Sequence, residues 1–334
     1  MNDRPILSVV VIGRNEGERL IRCLESVIAM DALPDGPVEL LYVDSASTDS
    51  SVERARQLGV TVIRVNPVRP CASVGRNAGW RAARADLILF LDGDTILAHD
   101  FAAVARREFE DEKVAVVFGD RREISTDKSI YNRMLDLDWI AQPGTIELCG
   151  GDALIRREVL VRVNGYDEEL IAGEDAELCS RVRALGYKIV HLDRRMVGHD
   201  LAIHQFSQYW RRSVRTGYAY AEISQRFRDS ATPVWSQQAR RNRLQGTLMF
   251  AILVGSPILS ICIWSIVPIV AAITIIGALA IRTAIRSRWK VAALNTRLLY
   301  GLHSHLGQIP ILIGQLKYMC NRLNARTAEI IEYK

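Results

Sequence analysis

The residues with the clearest chemical potential are Asp92 and Asp94 in ADLILFLDGDT, which follow directly on five consecutive apolar residues. Side chains alternate along a strand, so two carboxylates two positions apart can face one ligand. Paired hard oxygen donors suit Mg2+ or Mn2+, with a nucleoside diphosphate completing the coordination. Acidic turns are common, and it is the position immediately after a buried strand that gives this one weight. In AGEDAELCSRVRALGYKIV, Glu174 and Asp175 open an amphipathic helix with apolar Leu178, Val182 and Leu185, and Gly186 stands as its C-cap. Acids in a first turn complement the helix dipole; alternatively, one of them takes the proton from an acceptor hydroxyl as a general base.

Other polar groups cluster where apolar runs stop. The first run ends in Arg14, Asn15 and Glu16, and LLYVD ends at Asp44 before SASTD, where Ser47 is placed to cap the next helix. A carboxylate at such an end accepts hydrogen bonds from ribose hydroxyls or a base N–H. Arg76 and Asn77 open the helix upstream of the acidic pair, where an arginine can meet ribose or diphosphate. Gln208, Arg211, Arg212 and Arg215 share one or two adjoining helical faces and offer positive charge to a leaving diphosphate or to lipid head groups. His199 and His204 lie between the acidic and basic clusters, and His199 is a further candidate for metal or diphosphate.

Something must hold these groups in place. The runs SVVVIG, VELLYV, VTVIRV and LILFL are near-continuously apolar and of strand length, and helical patterns over 18–29, 50–58 and 73–84 separate them. Alternating βα units whose strands are apolar on both faces predict a mostly parallel sheet covered by helices, with ligands beyond the C-terminal strand ends. The 334 residues suffice for one large α/β domain with additions. Six scattered cysteines without CxxC spacing imply neither a zinc site nor a disulfide framework. The short N-terminal apolar run reads as a strand rather than a signal peptide, which predicts a cytosolic catalytic portion.

The formal charge of +5 conceals an asymmetry: Met1–His204 carries 26 basic against 34 acidic residues, whereas 282–334 carries 9 against 2. Between them, Leu244–Ile281 is 38 residues without a charge, interrupted by Pro257, Pro268 and Gly277. A single span needs roughly 20 apolar residues, so this length predicts a hairpin turning near Ser265–Pro268. Arg240, Arg241 and Arg243 precede it, and Arg282, Arg286, Arg288 and Lys290 follow it, so both ends prefer the cytoplasmic side. The hairpin either spans or is re-entrant, a buried core hairpin being the alternative. The basic excess beside it points to anionic lipid rather than nucleic acid. Leu298–Met319, which contains His303, His305 and Lys317, predicts interfacial helices, and AEIIEYK a short helical tail. The expected division is a catalytic domain over 1–230, a basic linker over 231–245, the hairpin over 246–281, and interfacial helices with the tail over 282–334.

Taken together, these segments resemble the family 2 glycosyltransferases over roughly Ser8–Tyr220. SVVVIGRNE is similar to the family's opening strand, with Ile12 where proline or threonine is usual, and implies donor contacts from Ile12, Arg14 and Glu16. The resemblance implies a GT-A nucleotide-diphospho-sugar fold, with Asp44 toward the base, Arg76 near the nucleotide, Asp92 on the ribose side and Asp94 on the metal. GYDEELIAGEDAELCSRVRALGY implies Asp175 as catalytic base with Glu174 beside it. CGGDALIRREVL implies an acceptor-binding strand and loop with Gly151 and Asp152, the latter where asparagine is common. QYWRR resembles the QxxRW motif of processive members but has Arg212 in the tryptophan position, which argues against processive polymerisation. The implied reaction is inverting, metal-dependent transfer from a nucleotide sugar, UDP-linked by family precedent, to a lipid-linked or glycan acceptor during surface polysaccharide assembly. The alternatives are a polyprenyl-phosphate acceptor, a nucleotidyltransferase and a catalytically silent membrane scaffold. GRNEGERL after the first strand is a poor match to the phosphate loop a nucleotidyltransferase needs.

Overall fold

A computed structural model describes residues 4–230, 233–291 and 293–324. The AEIIEYK tail lies outside the described residues. By Cα packing the chain forms two units, one of Met1–Ser125 with Trp139–Leu201 and one of Thr126–Asp138 with Ala202–Lys334.

The first unit begins with the expected alternation: β1 (Leu7–Gly13), α1 (Glu18–Ile28), β2 (Val38–Ser45), α2 (Ser51–Gln57), β3 (Thr61–Val65), α3 (Ala72–Ala82) and β4 (Leu87–Asp92). It continues through β5 (Thr95–Leu97), α4 (Phe101–Ala105), a 3-10 turn and β6 (Val114–Glu123). Helix α5 (Ile130–Trp139) belongs to the second unit except for its last residue, Trp139. Then come β7 (Gly144–Ile146), β8 (Ala153–Arg156), α6 (Arg157–Arg162), α7 (Glu174–Ala184) and β9 (Lys188–His199). The strand order is β3-β2-β1-β4-β8-β6-β9-β5, with β7 also on β9. The sheet is parallel through its larger part, with antiparallel additions. The first four strands run parallel, but β8 inserts antiparallel between β4 and β6, and β5 and β7 pair antiparallel with β9. The apolar periodicity of 87–91 could not reveal that neighbour, which comes from a segment far along the chain.

Alternation along β1 decides which helix layer each residue meets. Leu7, Val9 and Val11 pack with Leu20, Leu24 and Val27 of α1 and Phe101 of α4. Val10 and Ile12 pack with Trp80 of α3, Leu160 of α6 and Leu178 and Val182 of α7. Both faces are thus covered, which is why the strand reads as one apolar run, and each fully buried aliphatic side chain contributes about 1.5–3 kcal/mol.

The second unit is helical: α8 (Phe206–Arg226), α9 (Ser236–Cys262), α10 (Val267–Arg286), α11 (Leu294–Leu306) and α12 (Gln308–Leu323). The segment expected to link, 231–245, is helical from Ser236 onward, because Arg240, Arg241 and Arg243 are good helix formers and nothing there stops a helix. Helices α9 and α10 are long and apolar enough to cross a membrane, and the turn between them falls at Ile263–Ile266. Their apolar faces are not buried in the protein: Phe250 is 52% exposed, Ile258 57% and Ile273 66%. Helices α8 and α12 meet at glycines, since a Cβ on Gly314 would lie 2.7 Å from Tyr218 N and one on Gly217 the same distance from the Ile311 carbonyl carbon. The absence of side chains at these two positions lets the two helix backbones come into direct contact.

Candidate active site

The chain runs outward from β1 to β3 and returns to place β4 on the other side of β1. That reversal leaves a crevice beyond the C-terminal ends of β1 and β4, where ligands bind in open α/β sheets. Register places Ile12 opposite Asp92 and Gly13 opposite Asp44, so all three strand ends reach one edge.

On the β1–β2 side, Asp44 is fully buried and accepts hydrogen bonds from the Tyr42 hydroxyl (3.0 Å) and Ser47 N (3.1 Å). Ser47 therefore does not cap α2; its hydroxyl accepts from Asn15 N at 3.0 Å, and Ser50 holds the cap position. Asn15 in turn accepts from Thr48 N at 2.7 Å, tying the two loops together. Glu16 pairs with Arg19 at 2.8 Å, and Arg14 is exposed in the same loop. Ile12 is buried, and its carbonyl accepts from Gly93 N at 2.8 Å, fixing the turn between the two acids.

That turn separates Asp92 from Asp94. Strand β4 stops at Asp92, so the two carboxylates are not alternate strand residues and each has its own partners. Asp92 Oδ1 accepts from Arg76 Nη2 at 2.8 Å, and its Oδ2 lies 3.7 Å from Arg121 Nη2. Arg76 sits inside α3 rather than at its start and is 2% exposed. Its Nη1 donates to Glu174 at 2.8 Å and lies 3.3 Å from Asp175 Oδ1. Three carboxylates thus share one buried guanidinium, which holds them in place instead of opening toward a phosphate. Gly151 makes this possible, because a Cβ there would lie 3.0 Å from Arg76 Cζ and 3.2 Å from Asp92 Oδ2.

Asp152 is the residue expected on the acceptor side. It is 4% exposed, accepts from Asp92 N at 2.9 Å and from Arg121, and so braces the end of β4 from beneath. Burial raises its pKa to about 6, with the Asp92 and Asp94 charges adding to this against the attraction of Arg121. Asp175 stands at the start of α7, where Gly173 takes a left-handed φ of 85° as N-cap. Burial raises the Asp175 pKa to about 7; Glu174 and Asp92 push the same way, and Arg76 opposes them. The carboxyl still keeps 22% of its exposure.

Asp94, 6% exposed, faces His199 Nε2 at 3.4 Å, and Glu123 lies 4.0 Å from the other ring nitrogen. Strand pairing produces this contact, since Thr95 of β5 is opposite His199 of β9. Donors cis to one another around an ion bound at about 2.1 Å stand roughly 3 Å apart, so a carboxylate oxygen and an imidazole nitrogen at this spacing fit one divalent cation. Among the described residues no three such side chains form a metal cluster, so bound diphosphate or water would supply the remaining ligands.

Arg121, Glu123 and Trp139 are site residues that the motifs do not mark. Arg121 and Glu123 belong to the polar cluster that ends the apolar run VAVVFG, and the rule of looking where strands stop would find them. Irregular register against β9 at Asp120–Arg121 is the kind of bulge that re-aims a side chain.

Arg211 and Arg212 lie in α8 of the second unit. Arg211 Nε donates to Ser207 O at 3.3 Å, and Arg212 lowers the pKa of Asp138 in that unit, together with the larger effects of burial, which opposes it, and His303. Gln208 completes the capping box of α8 with Gln205.

The fold as a whole matches that of a mannosyltransferase from Pyrobaculum calidifontis solved with GDP-Man and Mn2+, at a TM-score of 0.62, 18% identity and 96% and 89% coverage of the two chains. This is the GT-A arrangement. Residues 8–162 match the family model described as glycosyl transferase family 2. It is 25% identical over 212 residues to a probable glycosyltransferase of Bacillus subtilis, YdaM, covering 57% of this chain and 49% of that protein. It is 24% identical over 212 residues to the O-antigen chain rhamnosyltransferase RfbN of Salmonella typhimurium, covering 58% and 66%. The chain thus spans between half and two thirds of the length of these curated relatives.

Proposed function

We infer that the protein is an inverting glycosyltransferase that moves a sugar from a nucleoside-diphosphate donor to a hydroxyl of a lipid-linked or polysaccharide acceptor at a membrane surface. The observation that carries this reading is the pairing of Asp94 with His199 at the switch-point crevice, beside the buried Arg76–Asp92–Glu174–Asp175 cluster. Asp44 and the loop of Arg14 and Glu16 would receive the nucleoside, and Asp92, oriented by Arg76, the ribose side. Asp94 and His199 would hold Mn2+ or Mg2+, which when bound supplies Lewis-acid stabilisation of the departing diphosphate. The structural neighbour's GDP-Man and Mn2+ are in keeping with such a donor.

Asp175 then deprotonates the acceptor hydroxyl, which attacks the anomeric carbon from the face opposite the nucleotide. A carboxyl raised to about 7 by burial and by neighbouring acids is a better base than a solvated one. That favours a hydroxyl acceptor over a polyprenyl phosphate, whose oxygen is already anionic. Arg211 and Arg212 are assigned to the diphosphate on their charge alone. The α9–α10 hairpin, with basic residues at both ends and exposed apolar faces, would anchor the enzyme to the cytoplasmic face of the membrane, where confinement raises the effective concentration of a lipid-linked acceptor.

Calorimetric titration of detergent-purified protein with UDP, GDP and CDP, with and without Mn2+, tests the donor site. Metal-dependent binding of one nucleotide that is lost in Asp94→Ala is expected. If folded wild-type protein binds none of the three, the reading fails.

A further inference from the structure

Trp139 takes no direct part in the transfer, yet it touches both arms of the candidate site. It is the last residue of α5 and belongs to the first unit, as do the two side chains its ring meets there. Its indole ring lies 5.0 Å from the His199 ring, centroid to centroid, at an interplanar angle of 59°. The guanidinium carbon of Arg121 stands 5.6 Å from the indole centroid. His199 is the partner of Asp94, while Arg121 reaches Asp152 and lies 3.7 Å from Asp92.

The chemistry explains why an indole suits this place. An imidazole near an aromatic edge and a guanidinium near an aromatic face are both attracted to the ring quadrupole, and an indole carries the largest such face. An imidazole that serves as a metal ligand needs its ring plane fixed as well as its position, and groups that orient a ligand set its affinity for the ion. Arg121 has the same need, because it must keep one terminal nitrogen between Asp152 and Asp92.

We propose that Trp139 is the positioning residue that holds the two acidic arms in register, seating His199 beside Asp94 and Arg121 between Asp152 and Asp92. This rests on the donor-site reading given under the proposed function. Loss of the ring loosens His199 and Arg121 together, so metal affinity and donor affinity fall in concert. A side chain that merely filled space would instead reduce the amount of active enzyme and leave both affinities as they are.

The test uses the full chain in detergent and two readouts. Free Mn2+ is measured by electron paramagnetic resonance in the presence of whichever nucleotide the wild type binds, and donor KM and kcat are measured separately. Trp139→Ala is expected to weaken Mn2+ binding about tenfold, the lower end for loss of a group that orients a metal ligand, and to raise donor KM by a similar factor with kcat changed less. Trp139→Phe, which keeps a ring, is expected to recover Mn2+ affinity to within about threefold of wild type. Should Trp139→Ala not fold, Trp139→Leu takes its place, with bulk but no ring and the same expected loss. Wild-type Mn2+ affinity in Trp139→Ala or Trp139→Leu overturns the proposal, and so does a loss that Trp139→Phe does not restore. A wild type that binds no Mn2+ refutes the donor-site reading itself, which separates the two failures.

Discussion

Gly151→Ala isolates the contact on which the Arg76 cluster depends. Gly151 does not have a positive φ, so alanine costs nothing in backbone conformation there. Its Cβ would lie 3.0 Å from Arg76 Cζ, 3.2 Å from Asp92 Oδ2 and closer still to Arg76 Nη2. An arginine tip normally swings aside at little cost, but this one is 2% exposed and held by Asp92 and Glu174 at 2.8 Å each. Moving it breaks the bond to Asp92. Overpacking a tight site costs about 1–3 kcal/mol and losing a charge-assisted hydrogen bond about 1.5–3 kcal/mol. Because the Asp92 side chain is 27% exposed, water recovers part of the second loss, and about 2 kcal/mol is the expected total. In a unit of this size that lowers the thermal midpoint by roughly 4–8 °C, readable by scanning fluorimetry in detergent. Donor binding should weaken in the same variant, since Asp92 is released. Gly150→Ala is the control: its nearest atom is Arg121 Nη2 at 3.6 Å, an ordinary contact, and its effect should stay within about 0.5 kcal/mol. If Gly151→Ala melts with the wild type and binds nucleotide equally well, Arg76 is not what holds Asp92.

Asp175→Asn keeps the shape of the site but removes the base, so turnover should fall by about 10²–10⁴ with donor affinity little changed; equal loss of both would move Asp175 into the donor site. A base with its pKa raised to about 7 is protonated and idle below that pH, so kcat should climb through neutrality and level off on the alkaline side. A rate that falls as pH rises over that range is incompatible with the role. In the second unit, Gly314→Ala drives a Cβ against backbone atoms that cannot swing away, Tyr218 N at 2.7 Å and the Val214 carbonyl carbon at 2.9 Å. The helices must part, and a loss of about 1–3 kcal/mol is expected as a lower midpoint for that unit; an unchanged midpoint would mean that the crossing yields without strain.

The features readable in the sequence are those that depend on neighbours along the chain. Four largely apolar runs form β1–β4, of which β1, β2 and β4 are buried while β3 is the half-exposed edge, and the acids at the ends of β2 and β4 stand at the crevice because parallel strands stop together. Glu174 and Asp175 open a helix, as a first turn of acids implies. Partnerships across the sheet are not readable. That Asp152 braces Asp92 follows from β8 lying beside β4, and that His199 meets Asp94 follows from β5 lying beside β9. Neither pairing leaves a mark in local periodicity. The acidic pair itself reads as one alternating strand, whereas Gly93 turns the chain and sends its two members to different partners.

Asp92, Asp94, Asp152, Glu174 and Asp175 gather around Arg76 and Arg121, and the two guanidiniums cannot neutralise them all. Burial is the main reason that the Asp152 and Asp175 pKa values are raised, and the neighbouring acids add to it. A nucleoside diphosphate entering this crevice brings further negative charge into a place of reduced dielectric, where like charges repel far more strongly than in water. Arg76 is already engaged by Asp92 and Glu174, and Arg121 by Asp152. In the proposed function a divalent cation would bring positive charge with the substrate, and Asp94 with His199 is the pair whose donors are of the right kind and distance to receive it. In that reading the burial and the neighbouring acids that would make the crevice hostile to a bare diphosphate also raise the Asp175 pKa, so donor binding by way of a cation and acceptor activation by a carboxylate would share one origin.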